Sequence, residues 1–299
     1  MEEAVMCEIK GNSLDDGPGI RTVVFFKGCP LSCVWCHNPE SQSRRAQLSF
    51  DETKCVGIGE CFKQCPEEAL DKSNPLFVNY DLCTSCFKCT EVCSSEALSI
   101  VGDTYTVEQV LSVVDRYQVF YETSGGGVTL SGGEFTLYPK FCEQLLIELK
   151  ERNINALVET SGYFSFEHFD QHILPYVDQI YMDIKLFDEQ EHIKYCGKSN
   201  KRILENFSQL NQSYQKGGVA ILPRIPLIPG ISTTDTNLES IADFLKQQHV
   251  TELAILPYNP LWSSKANKIG SDICYTNNKW MTAEQVEHCR SFFKDFKLI

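Results

Sequence analysis

Three cysteines stand close together in the stretch Gly28-Cys29-Pro30-Leu31-Ser32-Cys33-Val34-Trp35-Cys36-His37-Asn38. Their spacing, with three and then two intervening residues, suits three thiolate ligands on three irons of a cubane iron–sulfur cluster. The fourth iron of such a cluster has no cysteine, so it can bind a small molecule through an amine and a carboxylate and pass it an electron. A structural zinc site or a set of buried thiols is the alternative interpretation, and it explains none of the motifs that follow.

The composition is that of a globular protein. The chain has 299 residues, of which 42% are hydrophobic, so it can bury the core of one barrel-sized domain or of two domains. A net charge of −13 argues against a nucleic-acid partner, since binding phosphates requires positive charge. We expect no signal peptide and no membrane span, because no apolar run approaches the ~18 residues that cross a bilayer. The 15 cysteines then indicate a cytoplasmic protein whose thiolates bind iron.

The order of the predicted elements indicates an α/β fold. Residues 21–26 form a short β-rich run, and cysteines are dense from about residue 50 to 101. Strands are predicted over 127–130, 155–158, 179–184, 219–225 and 253–256, and helices over 138–152, 166–177, 203–214, 238–247 and 282–296. About six β-α units suit a partial (β/α)6 barrel, with a doubly wound open sheet as the competing arrangement. The predicted domains are a barrel, residues 1–49 and 103–299, and an insert, residues 50–102.

The cysteine-dense segment contains two further groups. The later run, Cys83-x2-Cys86-x2-Cys89-x3-Cys93, has the spacing of bacterial two-cluster ferredoxins. The earlier run, Cys55-x5-Cys61-x3-Cys65-Pro66, fits the same template if Ile58 stands where the second cysteine belongs. A pair of zinc sites is the alternative for the whole segment.

In two-cluster ferredoxins the fourth cysteine of each run binds the other cluster. One cluster would therefore be complete, with Cys83, Cys86, Cys89 and Cys65 as ligands. The other would have only Cys55, Cys61 and Cys93. It could be a 4Fe-4S cluster with water or a carboxylate as its fourth ligand, a 3Fe-4S cluster, or no cluster. Glu60 is the nearest carboxylate in the sequence.

Polar motifs follow the predicted strands at the points where the strands end. Ser131-Gly132-Gly133-Glu134 follows the strand after the insert. Its glycines would let a ligand approach the backbone, and its carboxylate can accept hydrogen bonds from an ammonium group. Later strand ends carry Glu159, Thr160, Asp183, Lys185, Arg224 and Asn259. Because such positions converge in a barrel, we expect a single shared site.

The three-cysteine stretch, with Trp35 before its third cysteine, resembles the radical S-adenosylmethionine (SAM) signature. Nearly the whole chain resembles the glycyl-radical-enzyme activating enzymes, which are related to pyruvate formate-lyase activase. The matching motifs are Asp16-Gly17-Pro18-Gly19-Ile20-Arg21, Phe25-Phe26-Lys27-Gly28-Cys29, Trp35-Cys36-His37-Asn38-Pro39, Ser131-Gly132-Gly133-Glu134 and Asp183-Ile184-Lys185. The insert resembles that of a longer subgroup, which activates dehydratases, decarboxylases and carbon–carbon lyases or synthases.

This resemblance implies a partial barrel of the radical SAM type with an inserted two-cluster ferredoxin-like domain. It implies a SAM-bound 4Fe-4S cluster on Cys29, Cys33 and Cys36. It implies SAM contacts from Trp35, Cys36, His37, Gly132, Gly133, Glu134, Thr160, Asp183, Ile184, Lys185, Arg224 and Asn259, the last replacing a more usual histidine. Glu159, Thr160 and Asp183 match a monovalent-cation site, although aspartate is common where Glu159 stands. Asp16, in the loop to Gly19, resembles the surface that meets the glycine-bearing loop of the partner.

The resemblance also implies the reaction. A reduced cluster gives one electron to SAM, and the resulting 5′-deoxyadenosyl radical removes a hydrogen atom from a backbone glycine of a partner enzyme. The auxiliary clusters would relay electrons or dock a flavodoxin- or ferredoxin-type reductant. Two other classes of protein stay open: a radical SAM enzyme acting on a small metabolite, and a two-cluster electron carrier. The carrier leaves the Cys29 group unexplained.

Overall fold

A computed structural model describes residues 2–299 of the chain. The strands are β1 (Glu3–Ser13), β2 (Arg21–Phe26), β3 (Gln47–Phe50), β4 (Leu98–Val101), β5 (Asp103–Thr106), β6 (Gly127–Gly132), β7 (Asn155–Thr160), β8 (Gln179–Asp183), β9 (Ala220–Leu227), β10 (Glu252–Pro257) and β11 (Lys297–Leu298). The helices are α1 (Glu60–Gln64), α2 (Lys88–Glu91), α3 (Val107–Val114), α4 (Gln118–Ser124), α5 (Pro139–Glu151), α6 (Phe166–His172), α7 (Glu189–Cys196), α8 (Lys201–Tyr214), α9 (Asp235–Gln247), α10 (Trp262–Lys268) and α11 (Ala283–Ser291). Helices follow strands β6 to β10 in regular alternation.

Nine strands of the described residues form one sheet, in the order β11-β10-β9-β8-β7-β6-β2-β1-β5. From β2 to β11 each strand is parallel to its neighbour, and the strands follow one another in chain order. A doubly wound sheet reverses its strand order at a switch point, so the competing arrangement is not the one observed. Because parallel crossovers are right-handed, this order places the connecting helices on a single face of the sheet.

The helix-covered face of the sheet forms the main core. Side chains alternate between the two faces of a strand, and on this face they are apolar and buried: Val24, Phe26, Val128, Leu130, Val158, Ile180, Met182 and Ile225. Helices α5, α8 and α9 pack apolar side chains against them. Each large apolar side chain buried in this way stabilises the fold by about 1.5–3 kcal/mol.

The opposite face of the same sheet carries polar side chains. Arg21 and Thr129 are fully buried there, and Glu159, Asp183 and Arg224 lie further along the strands. Burying polar side chains costs free energy unless they find hydrogen-bond partners, so this face adds little to the stability of the core. We therefore expect the functional site on this polar face.

The cysteine-rich segment has its own small core. Strands β3 and β4 pair antiparallel at its base, and Leu48, Leu70, Val78 and Leu98 are buried among its cysteines. The expected insert starts at residue 50, whereas the strand pair that closes it starts at Gln47. Two contacts join the segment to the region of α10. The Tyr80 hydroxyl donates to the Lys268 carbonyl at 2.6 Å, and the Lys268 ammonium pairs with Asp51 at 2.8 Å.

The predicted strands and helices lie where the structure has them, with shifted ends. The predicted helix over 166–177 ends at His172, and Pro175 follows in a short 3-10 turn. Strand β1 was not predicted, because its outward positions are charged and half exposed. Short helices such as α3, α7 and α10 also went unpredicted. Among residues 2–299, no helix is both long and apolar enough to cross a membrane.

Candidate active site

A pocket of about 310 Å³ lies where the cysteine loop meets the C-terminal ends of strands β6 to β10. It is lined by Cys29, Leu31, Cys33, Trp35, Cys36, His37, Asn38, Ser131, Gly132, Gly133, Glu159, Thr160, Ser161, Asp183, Lys185, Arg224, Pro226, Ile228, Leu256, Pro257 and Tyr258. Its size is at the lower end of the range for small-molecule sites, and it combines a few convergent polar groups with apolar walls. Of the residues expected at strand ends, Glu159, Thr160, Asp183, Lys185 and Arg224 thus come together in this pocket.

Backbone hydrogen bonds hold the cysteine loop on two sides. On one side Gly28 N donates to the Ser41 carbonyl at 2.6 Å, and Cys29 N donates to the Gln42 carbonyl at 3.0 Å. On the other side Ser32 N donates to the Cys196 carbonyl at 2.9 Å. The loop is therefore positioned by the rest of the fold before any group binds to it.

The three thiols of this loop share one pocket wall. Burial raises the pKa of Cys29, and it raises the pKa of Cys36 to about 12. Without a metal these groups are thiols at neutral pH. Since thiolates are the ligands that iron requires, metal binding has to displace their protons.

The two glycines at the end of β6 are required by close packing. Gly132 has a positive φ of 101°, and a Cβ on Gly133 would lie 2.1 Å from the Gly28 carbonyl oxygen. A side chain at Gly133 would push the strand end away from the cysteine loop, and one at Gly132 would clash with the backbone of Phe26 on β2, 2.5 Å away. Both glycines also line the pocket, so backbone approach by a ligand, as expected from the sequence, is compatible with this packing.

Glu134 does not line the pocket. Its side chain is completely buried, and the carboxylate accepts hydrogen bonds from the Thr160 hydroxyl at 2.9 Å and from the Ser161 N–H at 2.9 Å. The Ser161 and Thr136 hydroxyls also donate to it, at 2.6 and 3.0 Å. Burial raises the pKa of Glu134, and these donors oppose that effect. In this structure the Glu134 carboxylate holds residues 160 and 161 against the pocket and does not face the cavity.

Four charged side chains form a chain of ion pairs on the pocket wall. Arg224 Nε donates to Asp183 at 3.0 Å, its Nη1 pairs with Glu159, and Lys185 Nζ donates to Asp183 at 2.6 Å. Ser131 Oγ donates to the second oxygen of Glu159 at 2.6 Å. The side chains of the four charged residues are only 10–18% exposed. The group carries two positive and two negative charges, so it is neutral as a whole.

Burial and charge act in opposite directions on the pKa values of these groups. Burial would raise the pKa of Asp183, but the charges of Lys185 and Arg224 outweigh it and hold that pKa below its usual range. Burial likewise would lower the pKa values of Lys185 and Arg224, but the neighbouring carboxylates keep both above their usual range. All three groups are therefore ionised at neutral pH. A ligand with one ammonium and one carboxylate group can replace one of these ion pairs with two new ones, so that every charge keeps a partner.

Besides Cys36, two expected SAM contacts from the cysteine loop, Trp35 and His37, line the pocket. Trp35 is buried, and packs with Ile228, Tyr258 and Trp262. His37 Nε2 lies 3.0 Å from the Asn259 carbonyl oxygen. Because that oxygen can only accept, the imidazole carries its proton on Nε2 and leaves Nδ1 free to accept.

Three other expected residues do not line the pocket. The Asn259 side chain accepts from Leu261 N at 3.0 Å and so caps a turn. Ile184 is 1% exposed and packs in the main core. Asp16 lies in the loop before β2, where its carbonyl accepts from the Thr129 hydroxyl at 2.8 Å and its carboxylate accepts from the Ser13 hydroxyl. The polar groups of Asn259 and Asp16 therefore bond within the fold, and Ile184 contributes by packing.

Several pocket residues were not among the expected site residues. Tyr258 follows β10 and is fixed by two hydrogen bonds, from Trp262 Nε1 at 2.8 Å and to the Asn277 carbonyl at 2.7 Å. Its place next to Asn259 at a strand end is the signal that could have identified it. Ser131, within the Gly-rich motif, and Ser161, after Thr160, carried the same signal. Leu31 and Ile228 are apolar wall residues with no sequence signal of their own.

The seven cysteines of the insert divide between two cavities. Cys65, Cys83, Cys86 and Cys89 line one cavity. Cys55, Cys61 and Cys93 line the other, together with Ile58, Glu60 and Ser95. This is the crossed grouping that the ferredoxin template predicts, in which each run supplies one ligand to the other site. Ile58 is 64% exposed, and Glu60 is paired with Lys63 at 2.8 Å.

Backbone donors support thiolates in both cavities. Ala69 N donates to Cys65 Sγ at 3.2 Å, and Leu98 N donates to Cys93 Sγ at 3.3 Å. Burial acts to raise the pKa of Cys93, but the N–H groups around it, first that of Leu98, lower it below the ordinary value. Such donors stabilise sulfur in its charged form, as iron–sulfur ligation requires. Within residues 2–299, no three His, Cys, Asp or Glu side chains are close enough to share a single metal ion.

The pocket residues fit the groups that the resemblance implies. Three thiols share one wall, the packed glycines leave backbone facing the cavity, and the neutral ion-pair chain matches a ligand with an ammonium and a carboxylate. Soft sulfur ligands favour iron–sulfur clusters over hard cations. Trp35 and Ile228 supply an apolar wall for a heterocycle.

Comparisons with known proteins agree with this site. Residues 83–245 match the Radical SAM superfamily, residues 47–94 match a 4Fe-4S dicluster domain, and residues 15–70 match a 4Fe-4S single cluster domain. A radical SAM methyltransferase from Sphaerobacter thermophilus has a similar fold, with a TM-score of 0.54 over 97% of this chain and 75% of that chain, at 13% identity. At that identity the likeness concerns the fold alone.

Curated relatives are more closely similar. An isethionate sulfite-lyase activating enzyme from Oleidesulfovibrio alaskensis is 40% identical, over 86% of this chain and 84% of its own length. An indoleacetate decarboxylase activating enzyme from Tractidigestivibacter scatoligenes is 37% identical, over 96% and 93%. A trans-4-hydroxy-L-proline dehydratase activating enzyme from Clostridioides difficile is 40% identical, over 86% and 85%. With a three-thiol pocket at its strand ends, this chain belongs to the radical SAM superfamily, and within it to the activating enzymes of glycyl-radical enzymes.

Proposed function

We propose that the protein activates a partner glycyl-radical enzyme, using SAM and a 4Fe-4S cluster on Cys29, Cys33 and Cys36. The observation that carries this proposal is the meeting of three thiols and a neutral ion-pair chain in one pocket at the strand ends. When bound and reduced, the cluster supplies the electron that divides SAM into methionine and a 5′-deoxyadenosyl radical, which takes a hydrogen atom from a backbone glycine of the partner. The protein's own contribution is binding, orientation and exclusion of water.

The ion-pair chain orients the methionine end of SAM. Arg224 is the residue that would bind the SAM carboxylate, since a guanidinium recognises carboxylates in a fixed geometry. Asp183 would accept from the amino group or the ribose hydroxyls, and Lys185 balances its charge. Gly132 and Gly133 would receive the amino end through their backbone. Trp35 and His37 would flank the adenine, with His37 held in one tautomer by the Asn259 carbonyl.

A monovalent cation at Glu159, Thr160 and Asp183 is part of the proposal. Both carboxylates already pair with Arg224, and the Thr160 hydroxyl donates to Glu134. The chain of charged groups is neutral, so a SAM carboxylate that takes Arg224 frees the carboxylates to accept a cation. We infer that cation binding and SAM binding are coupled through Arg224.

The wider architecture in this proposal is a partial (β/α)6 barrel with residues 50–102 as a two-cluster insert. One-directional strand order and a single helix-covered face support the barrel. The two cysteine cavities support two auxiliary clusters, one with four thiolates and one with three. A flavodoxin- or ferredoxin-type donor would meet the insert beside Cys55, which is exposed together with its apolar neighbours Val56 and Ile58.

The partner would be an enzyme of the decarboxylase, dehydratase or sulfite-lyase class, as the names of the relatives indicate. Its glycine-bearing loop would meet residues 16–19. The glycines of that loop offer backbone without side chains, and Asp16 offers acceptors to a peptide N–H.

The test is anaerobic activation of a panel of purified glycyl-radical enzymes by the reconstituted protein. The panel contains an isethionate sulfite-lyase, an indoleacetate decarboxylase and a trans-4-hydroxy-L-proline dehydratase, together with the glycyl-radical enzyme encoded nearest to this chain. Electron paramagnetic resonance should show a glycyl doublet on at least one member, with 5′-deoxyadenosine formed in step. SAM cleavage with no doublet on any member, and a modified metabolite in cell extract instead, would favour an enzyme that acts on small molecules.

A further inference from the structure

Arg21 and Thr129 form a buried relay of hydrogen bonds beneath residues 16–19. Arg21 Nε donates to the Thr129 hydroxyl at 2.7 Å, and that hydroxyl donates to the Asp16 carbonyl at 2.8 Å. Arg21 Nη1 reaches the same loop directly, at the Pro18 carbonyl, 3.1 Å away. Both side chains are 0% exposed, so water does not compete for these bonds. The loop is therefore anchored at two of its carbonyls from inside the fold.

The charge of Arg21 is held by neutral oxygens. Its Nη2 donates to the Val128 carbonyl at 2.8 Å and to the side chain of Asn155 at 3.0 Å. Among residues 2–299, no carboxylate pairs with this guanidinium within 4.0 Å. Burial accordingly lowers the pKa of Arg21 to about 10. Burying a cation without a counter-ion costs stability. We therefore interpret the role of Arg21 as making these hydrogen bonds, which position its neighbours.

The loop is also fixed from its outer side. Ile20 N donates to Ser124 Oγ at 2.8 Å, at the end of α4. Gly19 has a φ of 72°, and a Cβ there would lie 2.4 Å from Gly126 N. On the inner side, Gly17, with a φ of 124°, lies so close to the fully buried Leu157 that a Cβ would approach its side chain to 2.7 Å. The backbone conformation of residues 16–19 is thus determined by packing and hydrogen bonds on both sides.

The relay places the loop next to the pocket. Thr129 lies two residues before Ser131 on strand β6, and both point to the polar face of the sheet. Two residues of a strand span about 7 Å, so the Asp16 carbonyl is anchored one layer below the pocket wall. Leu14, two residues before the loop, is 71% exposed, and Val119 and Phe120 are 68% and 44% exposed on α4, the helix whose last residue bonds Ile20 N. Such residues suit contact with another polypeptide.

We propose that Thr129, supported by Arg21, is a positioning residue for recognition of the partner's glycine-bearing loop. Thr129 fixes the Asp16 carbonyl and so keeps residues 16–19 in one conformation. The backbone of the partner's glycine-bearing loop can then dock without the cost of ordering these residues. Preorganisation of this kind strengthens binding by removing an ordering cost. The inference rests on the proposed function, because it assumes that residues 16–19 meet the partner.

The experiment compares the parent with Thr129→Val, Thr129→Ser and Ser124→Ala. Valine keeps the shape of threonine and removes both hydrogen bonds, whereas serine keeps the hydroxyl. Ser124→Ala removes the outer tether at an exposed position, where folding is not at risk. Hydrogen-exchange mass spectrometry on the anaerobically reconstituted proteins reports the peptide covering residues 14–21. Electron paramagnetic resonance with the panel enzyme that responds to the parent gives the glycyl radical formed per 5′-deoxyadenosine.

We expect Thr129→Val to exchange faster over residues 16–20 and to form about three- to tenfold less glycyl radical per deoxyadenosine. KM for the partner should rise more than kcat falls. Thr129→Ser should restore both readouts, and Ser124→Ala should shift both in the same direction by a smaller factor. Parent-like exchange, or a parent-like ratio, in Thr129→Val and Ser124→Ala would overturn the proposal. If the parent activates no panel member, the proposed function fails, and the exchange measurement still decides whether the relay orders the loop.

Discussion

The carboxylate of Glu134 accepts two hydrogen bonds from Ser161, one from its backbone N–H at 2.9 Å and one from its hydroxyl at 2.6 Å. Both residues are buried, and Ser161 also lines the pocket at the strand ends while Glu134 does not. Glu134 therefore shapes the pocket through the residue in front of it. This relationship gives the Gly-rich motif a structural function in addition to any contact with the ligand.

Replacing Glu134 with Gln should destabilise the protein as well as weaken SAM binding. The amide nitrogen of Gln cannot accept from Ser161 or Thr160, so a buried donor loses its partner, at a cost of about 2 kcal/mol. Thermal unfolding and SAM affinity of the reconstituted protein measure the two effects, and we expect affinity to fall about tenfold. Glu151→Gln, at an exposed helix end, is the matched control. Weaker SAM binding with parent stability would instead indicate that Glu134 contacts the ligand directly.

Replacement of Cys29, Cys33 or Cys36 with Ala should abolish reductive SAM cleavage while the clusters of the insert persist. The three thiols line their own pocket, apart from the two cavities of the insert. Deoxyadenosine from the anaerobically reduced variants should fall below about 1% of the parent, since an unligated cluster cannot bind SAM productively. Cys274→Ala, at an exposed cysteine outside the three cavities, should behave as the parent. Turnover near the parent level in any of the three variants would refute this assignment.

Ile58→Cys should complete the auxiliary cluster of Cys55, Cys61 and Cys93. Ile58 lines that cavity and is exposed, so a thiolate there can approach the iron without repacking a core. Iron analysis should show about one more iron retained per chain, and Mössbauer spectra should lose the signal of an iron without a cysteine ligand. Val56→Cys adds a thiol in the same loop at the wrong position and serves as the control. Identical, fully thiolate-ligated clusters in the parent and in Ile58→Cys would show that the register is wrong.

Asp16→Ala should lower the yield of glycyl radical per SAM cleaved. The side chain of Asp16 lies outside the pocket in which we propose SAM binds, so SAM affinity should change little. Loss of a charged acceptor for a partner N–H corresponds to about a tenfold loss in coupling. The measurement is the glycyl doublet of the responsive panel enzyme, with deoxyadenosine counted in the same samples. Asp15→Ala, at the exposed neighbouring position, is the control, and an equal radical yield in both variants would rule out docking at Asp16.

The sequence alone determined the class of fold and how the cysteines are grouped. Short apolar segments between amphipathic helical patterns located the strands from β6 to β10, because the side chains on the core face of each strand are apolar whatever the opposite face carries. Cysteine spacing identified the three-thiol loop and the crossed grouping in the insert, since ligation of a cluster depends on short-range geometry that spacing preserves. The motif Asp183-Ile184-Lys185 also located two charged pocket residues correctly, although Ile184 between them points into the core.

Only the tertiary structure decided which face each side chain occupies and which partner it finds. The chain order of strands could have been doubly wound, and strand pairing over long separations excluded this. Glu134 and Asn259 are polar residues at strand ends, as a ligand site requires. In the structure, however, the side chain of Glu134 accepts hydrogen bonds from Thr160 and Ser161, and that of Asn259 accepts one from Leu261 N. Arg21 likewise finds Thr129 across 108 residues of chain. Such contacts depend on how strand register and helix packing bring distant segments together, and no local pattern of residues encodes them.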